Sequence, residues 1–250
     1  MACLPGFRCL CTGCSAFPDR QFQFFRENFM EKALVLLSGG IDSTTLLFYV
    51  ARRLGVKHVV AVSFLYGQRH DKELDAAAWQ ARAAGAAEHV KVDLSVLGGY
   101  FSEGSALLRG GAPVPDLVDV APEQRDQPPT YVPNRNMILL AVSCGLAETR
   151  GIRDVFYGAQ RQDEYGYWDC SPAFVERMNR VLELNRRGFV RVTAPFAGMR
   201  KADIVRLGME MGVDYSRTWS CYRGGDSPCG SCPSCCEREN AFAEALGKKK

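Results

Sequence analysis

The sequence predicts an α/β protein: a doubly wound, mostly parallel sheet followed by a small C-terminal module built on four cysteines. Three observations predict it. Short apolar runs alternate with helical stretches from Ala33 to Met211, the pattern of strands linked by crossover helices. The first strand and first helix are joined by a tight loop, Ser38-Gly39-Gly40-Ile41-Asp42-Ser43. Five of the eleven cysteines crowd between Cys221 and Cys236.

The elements follow in order. Ala33 to Leu37 is apolar and reads as a buried strand, and Thr44 to Leu54 reads as the helix after the loop. Lys57 to Leu65, rich in valine, is the second strand and ends in Tyr66-Gly67-Gln68-Arg69-His70. Asp71 to Ala84 is alanine-rich and helical, and Glu88 to Leu94 is the third strand. Ser95 to Thr130 is irregular and broken by Pro113, Pro115, Pro122, Pro128 and Pro129. A loop of this length in a compact domain is expected either to serve the site, here as a lid, or to be a surface excursion that merely connects. Tyr131-Val132-Pro133-Asn134 opens an apolar helix, Met137 to Glu148, with Asn134 as its expected cap. Asp154 to Gly158 is a strand whose polar and aromatic exit runs to Cys170, where open sheets of this kind bind ligands. A helix over Pro172 to Arg187, a short strand over Val190 to Thr193 and a helix over Lys201 to Met211 complete the domain.

Composition bounds the function classes. The 250 residues suffice for one large domain with an appendage, divided here as an N-terminal extension (1–29), the α/β domain (30–214) and the cysteine module with its basic tail (215–250). Residues 1–29 carry Cys3, Cys9, Cys11 and Cys14 without periodicity, and Met30 stands directly before the first strand, so the extension is expected to be dispensable. No apolar run approaches the ~20 residues of a membrane span. The net charge of +3 gives no case for nucleic acid. Cysteines clustered rather than spread argue for a metal site in a reducing, cytoplasmic compartment.

The loop carries the first chemistry. A strand–loop–helix turn leaves the first helical N–H groups unpaired, the helix dipole adds positive potential, and two glycines allow close approach of an anion. No Gly-Lys-Ser/Thr follows, so this is not a Walker loop. Asp42 is the carboxylate suited to magnesium bound on phosphates; capping the helix is a second role compatible with the first. Arg135 can pair with a phosphate or carboxylate, or form a surface ion pair. Lys201, at a helix start, can reach a phosphate or extend into solvent. His70 can donate a hydrogen bond or shuttle a proton, or be structural. Cys144, in an apolar helix, reads as core.

The cysteine cluster carries the second. In Cys221-x7-Cys229-x2-Cys232-x2-Cys235-Cys236 each Cys-x-x-Cys step brings two thiolates onto one ion, and Cys221 supplies the remaining ligand across Gly224-Gly225. Cys221, Cys229, Cys232 and Cys235 therefore describe a closed structural zinc site, with Cys236 surplus. An iron–sulfur cluster fits four thiolates too, and visible absorbance with iron would select it.

Ser38–Ser43 resembles the PP-loop of ATP pyrophosphatases that adenylate their substrates. Together with Tyr66-Gly67-Gln68-Arg69-His70, Pro133-Asn134-Arg135-Asn136, Gly166-Tyr167, Asp169-Cys170, Thr218-Trp219-Ser220-Cys221 and the later cysteines, the chain from about Met30 to about Ala245 resembles the QueC family of 7-cyano-7-deazaguanine synthases. Trp168 and Ser171 stand where the family pattern has proline and arginine. The resemblance implies the adenine-nucleotide alpha-hydrolase-like fold. It also implies conversion of 7-carboxy-7-deazaguanine and ammonia to the nitrile with ATP and Mg2+, with one zinc ion per chain and a homodimeric assembly. ATP would be held by Leu36, Leu37, Ser38, Gly39, Gly40, Ile41, Asp42, Ser43, Thr44, Thr45 and Leu46. Asp42, Arg69, Arg135 and Lys201 would serve catalysis, and Tyr66, Gln68, His70, Tyr167 and Asp169 would hold the substrate, with Tyr167 or Trp168 stacking on the base. Two other readings compete with this one. A tRNA-thiolating relative would need a reactive cysteine pair and an RNA-binding face. A non-catalytic nucleotide-binding module would bind ATP without turnover.

Overall fold

The computed structural model describes residues 30–121, 128–161, 167–186, 188 and 190–248. The expectations for residues 1–29, and for Gly166 in the fourth family segment, lie outside these. Five strands, β1 (Lys32–Leu36), β2 (His58–Leu65), β3 (Glu88–Asp93), β4 (Asp154–Phe156) and β5 (Arg191–Thr193), form one sheet in the order β3-β2-β1-β4-β5. Every pairing is parallel, with Leu34 opposite Val60 on one side and Val155 on the other. The continuous apolar runs of β1, β2 and β4 suit strands covered on both faces. Of the two edge strands, β3 has no fully buried position and β5 buries only Val192.

Side-chain alternation divides the core into two layers. Leu34, Val60, Val62, Val155 and Val192 face α4 (Arg135–Thr149) and α5 (Pro172–Leu182), meeting Leu140, Cys144, Ala147 and Phe174. Leu140, Ser143, Cys144 and Ala147 of α4 are buried at helical spacing, so one stripe of that helix lies on the sheet. The opposite layer holds α1 (Ile41–Phe48), α6 (Lys201–Glu210) and α7 (Pro233–Ala245), which meet through Ile41, Phe48, Val205, Tyr215 and Ala241. Helix α2 (Lys72–Ala84) contributes Ala83 and Ala84 to this layer. It stops at Gly85, whose φ of 76° lets Ala86 N–H reach back to the Ala81 carbonyl.

The sequence-predicted elements are present, with shifts of a few residues at their ends. Helix α1 begins earlier than expected, at Ile41, and passes into a π-helical turn over Tyr49–Arg53. Helix α5 ends at Leu182 rather than Arg187. Asn134 stands at the start of α4 but is no side-chain cap: its backbone is left-handed (φ 54°) and its side chain caps nothing. Two helices were not foreseen. Short α3 (Val96–Phe101) lies inside the proline-broken stretch, and α7 runs out of the cysteine cluster. Pro233 at its first position and the helix-favouring run after it are the signal for α7. The described residues from Glu31 onward form one compact unit, into which the cysteine segment is integrated.

Candidate active site and metal centre

Strand order reverses at β1, so the carboxyl ends of β1 and β4 open a crevice between the connections that leave on either side. A cavity of about 560 Å³ fills this crevice. Ser38, Gly40, Asp42, Ser43, Arg135 and Lys201 are among its walls.

The loop is held by its own hydroxyls. Ser38 N–H donates to Ser43 Oγ at 3.1 Å, the two hydroxyls lie 2.9 Å apart, and Gly40 N–H reaches Ser38 Oγ at 3.3 Å. Gly39, at φ +87°, has no room for a side chain: a Cβ there would stand 2.3 Å from the Glu73 carbonyl oxygen and 2.7 Å from Ala77 N. Gly39→Ala is therefore expected to destabilise the protein by about 2–4 kcal/mol, from overpacking against helix backbone plus left-handed strain. Denaturant unfolding measures this; a loss below about 0.5 kcal/mol would show that the loop yields.

Of the loop residues assigned to ATP, Leu36, Leu37, Ser38, Gly40, Ile41, Asp42 and Ser43 line the cavity, while Gly39 packs on α2. Thr44, Thr45 and Leu46 are fully buried in the layer beneath. Thr45 Oγ1 is bonded to the Ile41 carbonyl and to Tyr215 Oη at 2.7 Å, so it braces α1 rather than facing the cavity. Asp42, in the first turn of α1, lies 3.5 Å from Lys201 Nζ, which lies 2.9 Å from Glu237 of α7. Asp42 Oδ1 is buried and lacks a hydrogen-bond partner. Burial raises the Asp42 pKa, against the pull of Lys201. A buried, unsatisfied carboxylate oxygen beside an anion-holding loop fits an oxygen-seeking divalent cation.

The segments after β2 are brought to the same cavity, but not all in the assigned roles. Arg69 donates Nε to the Ala106 carbonyl (2.6 Å) and Nη2 to those of Gly111 (2.6 Å) and Ala112. Its guanidinium thus fastens the irregular stretch. Gln68, 4% exposed, ties the turn after β2 by accepting from Tyr66 N–H and donating to the Phe64 carbonyl. Asp169, 2% exposed, is not a cavity wall; its carboxylate accepts from Asn136 N–H (3.1 Å) and Nδ2 (3.3 Å) and so caps α4. That contact, and not Asn134, orients the helix start from which Arg135 projects. Arg135 sits 5.8 Å from the Tyr66 ring centre. Tyr167 lines the cavity and stacks on Tyr131. Trp168 is 49% exposed and bonded to Tyr131 Oη, outside the cavity wall. His70 lines the cavity, and its pKa is lowered by burial. Sequence reasoning missed Glu73, at the second position of α2, which also lines the cavity.

The described residues of the proline-broken stretch line the cavity through Leu107, Pro115, Leu117, Val120, Pro128, Pro129 and Thr130. The stretch is pinned in its middle part, by Arg69 at Ala106, Gly111 and Ala112 and by Arg223, which donates to the Val114 carbonyl and pairs with Asp116 at 2.8 Å. ATP with substrate is expected to slow proteolysis of this stretch; equal cleavage rates with and without them would rule out a lid.

The four predicted cysteines converge. The sulfurs of Cys221, Cys229, Cys232 and Cys235 all lie within 4.8 Å of one another, and those of Cys229 and Cys235 are 3.9 Å apart. Tetrahedral thiolates at a zinc–sulfur distance of ~2.3 Å would be about 3.8 Å apart. Backbone N–H groups of Cys229 and Cys232 donate to Cys221 and Cys229 sulfurs at 3.4 Å. Cys236 turns away toward the Gly230 and Ser231 carbonyls. The cluster could hold a metal ion. It is also tied to the loop: Trp219 N–H donates to the Gly39 carbonyl at 3.0 Å, and Glu237, two residues after Cys235, holds Lys201.

A doubly wound parallel sheet, a glycine loop opening a helix at its switch point and a cluster of four cysteines stitched to that loop define the class, a PP-loop protein with a C-terminal segment that could hold a metal ion. Residues 32–246 match the family model described as queuosine biosynthesis protein QueC. The 7-cyano-7-deazaguanine synthase of Archaeoglobus fulgidus is 47% identical over 212 residues, covering 84% of this chain and 85% of that protein. That of Clostridium kluyveri is 41% identical over 222 residues, covering 86% and 95%. The chain is also similar to a crystal structure of NAD+ synthetase from Burkholderia pseudomallei, with a TM-score of 0.44, 15% identity, and coverage of 94% and 84%. The chain belongs to the QueC family of queuosine biosynthesis proteins. Among the described residues, no helix is long and apolar enough to cross a membrane.

Proposed function

We propose that this protein is an ATP-dependent ligase that converts 7-carboxy-7-deazaguanine and ammonia to 7-cyano-7-deazaguanine, in the cytoplasm and with free ammonia as nitrogen source. The observation that carries the reading is the meeting of the anion-holding loop with Asp42, Lys201 and Arg135 around one cavity, in a chain of this family.

The chemistry follows from what a carboxylate lacks. It is a poor electrophile, and its oxygen is a poor leaving group. Loop N–H groups at the start of α1 would hold the β- and γ-phosphates and leave the α-phosphorus open. Attack there by the substrate carboxylate gives an acyl-adenylate and pyrophosphate; ammonia then displaces AMP to give the amide. A second activation, at the amide oxygen, lets AMP leave and the nitrile form. Lys201 would stabilise the charge growing on pyrophosphate, and Arg135 would orient the substrate carboxylate. Tyr66 and Tyr167 would flank the base, with His70 at the same wall. Asp42 would hold Mg2+, which supplies charge neutralisation on the phosphates. Cys221, Cys229, Cys232 and Cys235 would hold zinc, whose closed coordination supplies folding energy rather than a reactive water. A homodimer is the assembly we expect.

Mass spectrometry of 7-carboxy-7-deazaguanine incubated with ATP, magnesium and ammonium tests the reading. Amide and nitrile masses are expected, with AMP as the nucleotide product. Unchanged acid would reject the function, and ADP with phosphate from the outset would reject the adenylate route.

A further inference from the structure

The cavity contains a carboxylate for which no step so far has a use. Glu73 projects from the first turn of α2, directly behind the phosphate loop: its own carbonyl oxygen is the atom that leaves Gly39 no room for a side chain. The side chain lines the cavity at the seam between the loop and the chamber of Arg135 and Tyr66. The other carboxylates nearby are engaged. Asp42 and Glu237 share Lys201, and Asp169 is held by Asn136. Among the described residues the Glu73 side chain has no hydrogen-bond or ion-pair partner; the charged and titratable groups that face it are Arg135 of α4 and Tyr66 after β2. Asp42 of α1, His70, Lys201 of α6 and Glu237 of α7 share the cavity wall.

We infer that Glu73 is the general base for the nitrogen nucleophile: its carboxylate binds ammonium beside the activated acyl carbon and removes its proton. The inference rests on the ligase reading above. It answers a need of that reaction, since the nitrogen donor is mostly ammonium at neutral pH and ammonium has no lone pair with which to attack. In the first half, ammonium gives one proton to the Glu73 carboxylate. The freed lone pair forms the C–N bond, AMP leaves with the electrons of the C–O bond, and the adduct's surplus N–H proton passes to water. Glu73 then releases its proton to water. In the second half, adenylation at the amide oxygen leaves a protonated imidate that gives one N–H proton to water. Glu73 takes the last N–H proton as the C–O bond breaks, and the N–H electrons become part of the C≡N bond while AMP leaves with those of the C–O bond. Burial supports this use, raising the Glu73 carboxyl to about 7 against the opposing Arg135, so that it can both accept and return a proton near neutrality.

The test is Glu73→Gln in the full chain, which keeps the side chain's size. Turnover with ammonium is expected to fall about 100-fold, with KM for ATP and for the acid within threefold of the unmutated protein. Hydroxylamine, largely unprotonated at neutral pH, is expected to restore acyl transfer to within threefold as the hydroxamate. Rates expressed per unprotonated ammonia should fall as pH rises through neutrality in the unmutated protein, which uses ammonium, and be flat in the variant, which can use only free ammonia. Retained ammonium turnover would overturn the proposal. So would a tenfold rise in KM for the acid at unchanged kcat, or a failure of hydroxylamine to rescue. If the unmutated protein makes no nitrile at all, the ligase reading itself fails, and this assignment falls with it.

Discussion

Asp42→Asn is expected to lower turnover about 100- to 1,000-fold with little change in stability. Asparagine has the same shape and sits as well in the first helical turn, so the fold has no reason to respond. What it lacks is the charge. Asp42 Oδ1 is buried without a partner, and Lys201 is held between this carboxylate and Glu237. The substitution removes an anionic oxygen ligand and leaves Lys201 pulled toward Glu237 alone. Because burial raises the Asp42 pKa, relief of burial cost offsets part of the lost pairing, which keeps the stability change small. Initial rates of nitrile formation across a magnesium titration check the prediction. Wild-type rates in the variant would remove Asp42 from the machinery.

Cys232→Ser carries the largest expected effect on stability. Cys232 and Cys221 are almost fully buried, and the loop between them contains Tyr222, a cavity wall. Metal content is expected to fall from one ion per chain to near zero. The loss is about 5 kcal/mol, a fraction of the ~10–16 kcal/mol seen for structural zinc in small domains, and lowers the melting temperature by roughly 10–20 °C. Cys236→Ser is the control. Its sulfur touches only backbone carbonyls, so metal content should hold and stability should move by no more than about 0.5 kcal/mol. A Cys236 variant that loses metal while Cys232→Ser keeps it would invert the ligand assignment.

What sequence could and could not convey follows the range of the interactions. The loop, the buried strands and the thiolate set are local patterns, and each is found where its spacing places it. Arg69 and Gln68 sit in a segment that reaches the cavity, yet their polar groups are taken by carbonyls at Ala106, Gly111 and Phe64, partners that no local pattern specifies. Asp169 reads as a polar residue at a strand exit, but folding delivers it to the start of a helix 33 residues earlier in the chain. Glu73 looks like any acidic residue in the first turn of an amphipathic helix. Only the approach of α4, with Arg135, makes it a cavity group. Helix α7 was hidden because its first turn is written in cysteines, which read as ligands before they read as helix.

The hydrogen bond from Trp219 to Gly39 and the ion pair of Glu237 with Lys201 have a consequence for how the protein is made. The phosphate loop leaves the ribosome well before its partners: its central strand must wait for β4 to gain its second neighbour, and the loop must wait longer still for its braces. Chain growth is slow compared with local folding, so the half-built sheet spends seconds with the β4 side of β1 unpaired. Nucleotide affinity should therefore arrive late and abruptly, with the segment from Trp219 to Glu237, rather than accumulate as the sheet grows. Stalled nascent chains of increasing length, probed with an ATP analogue, would display that step.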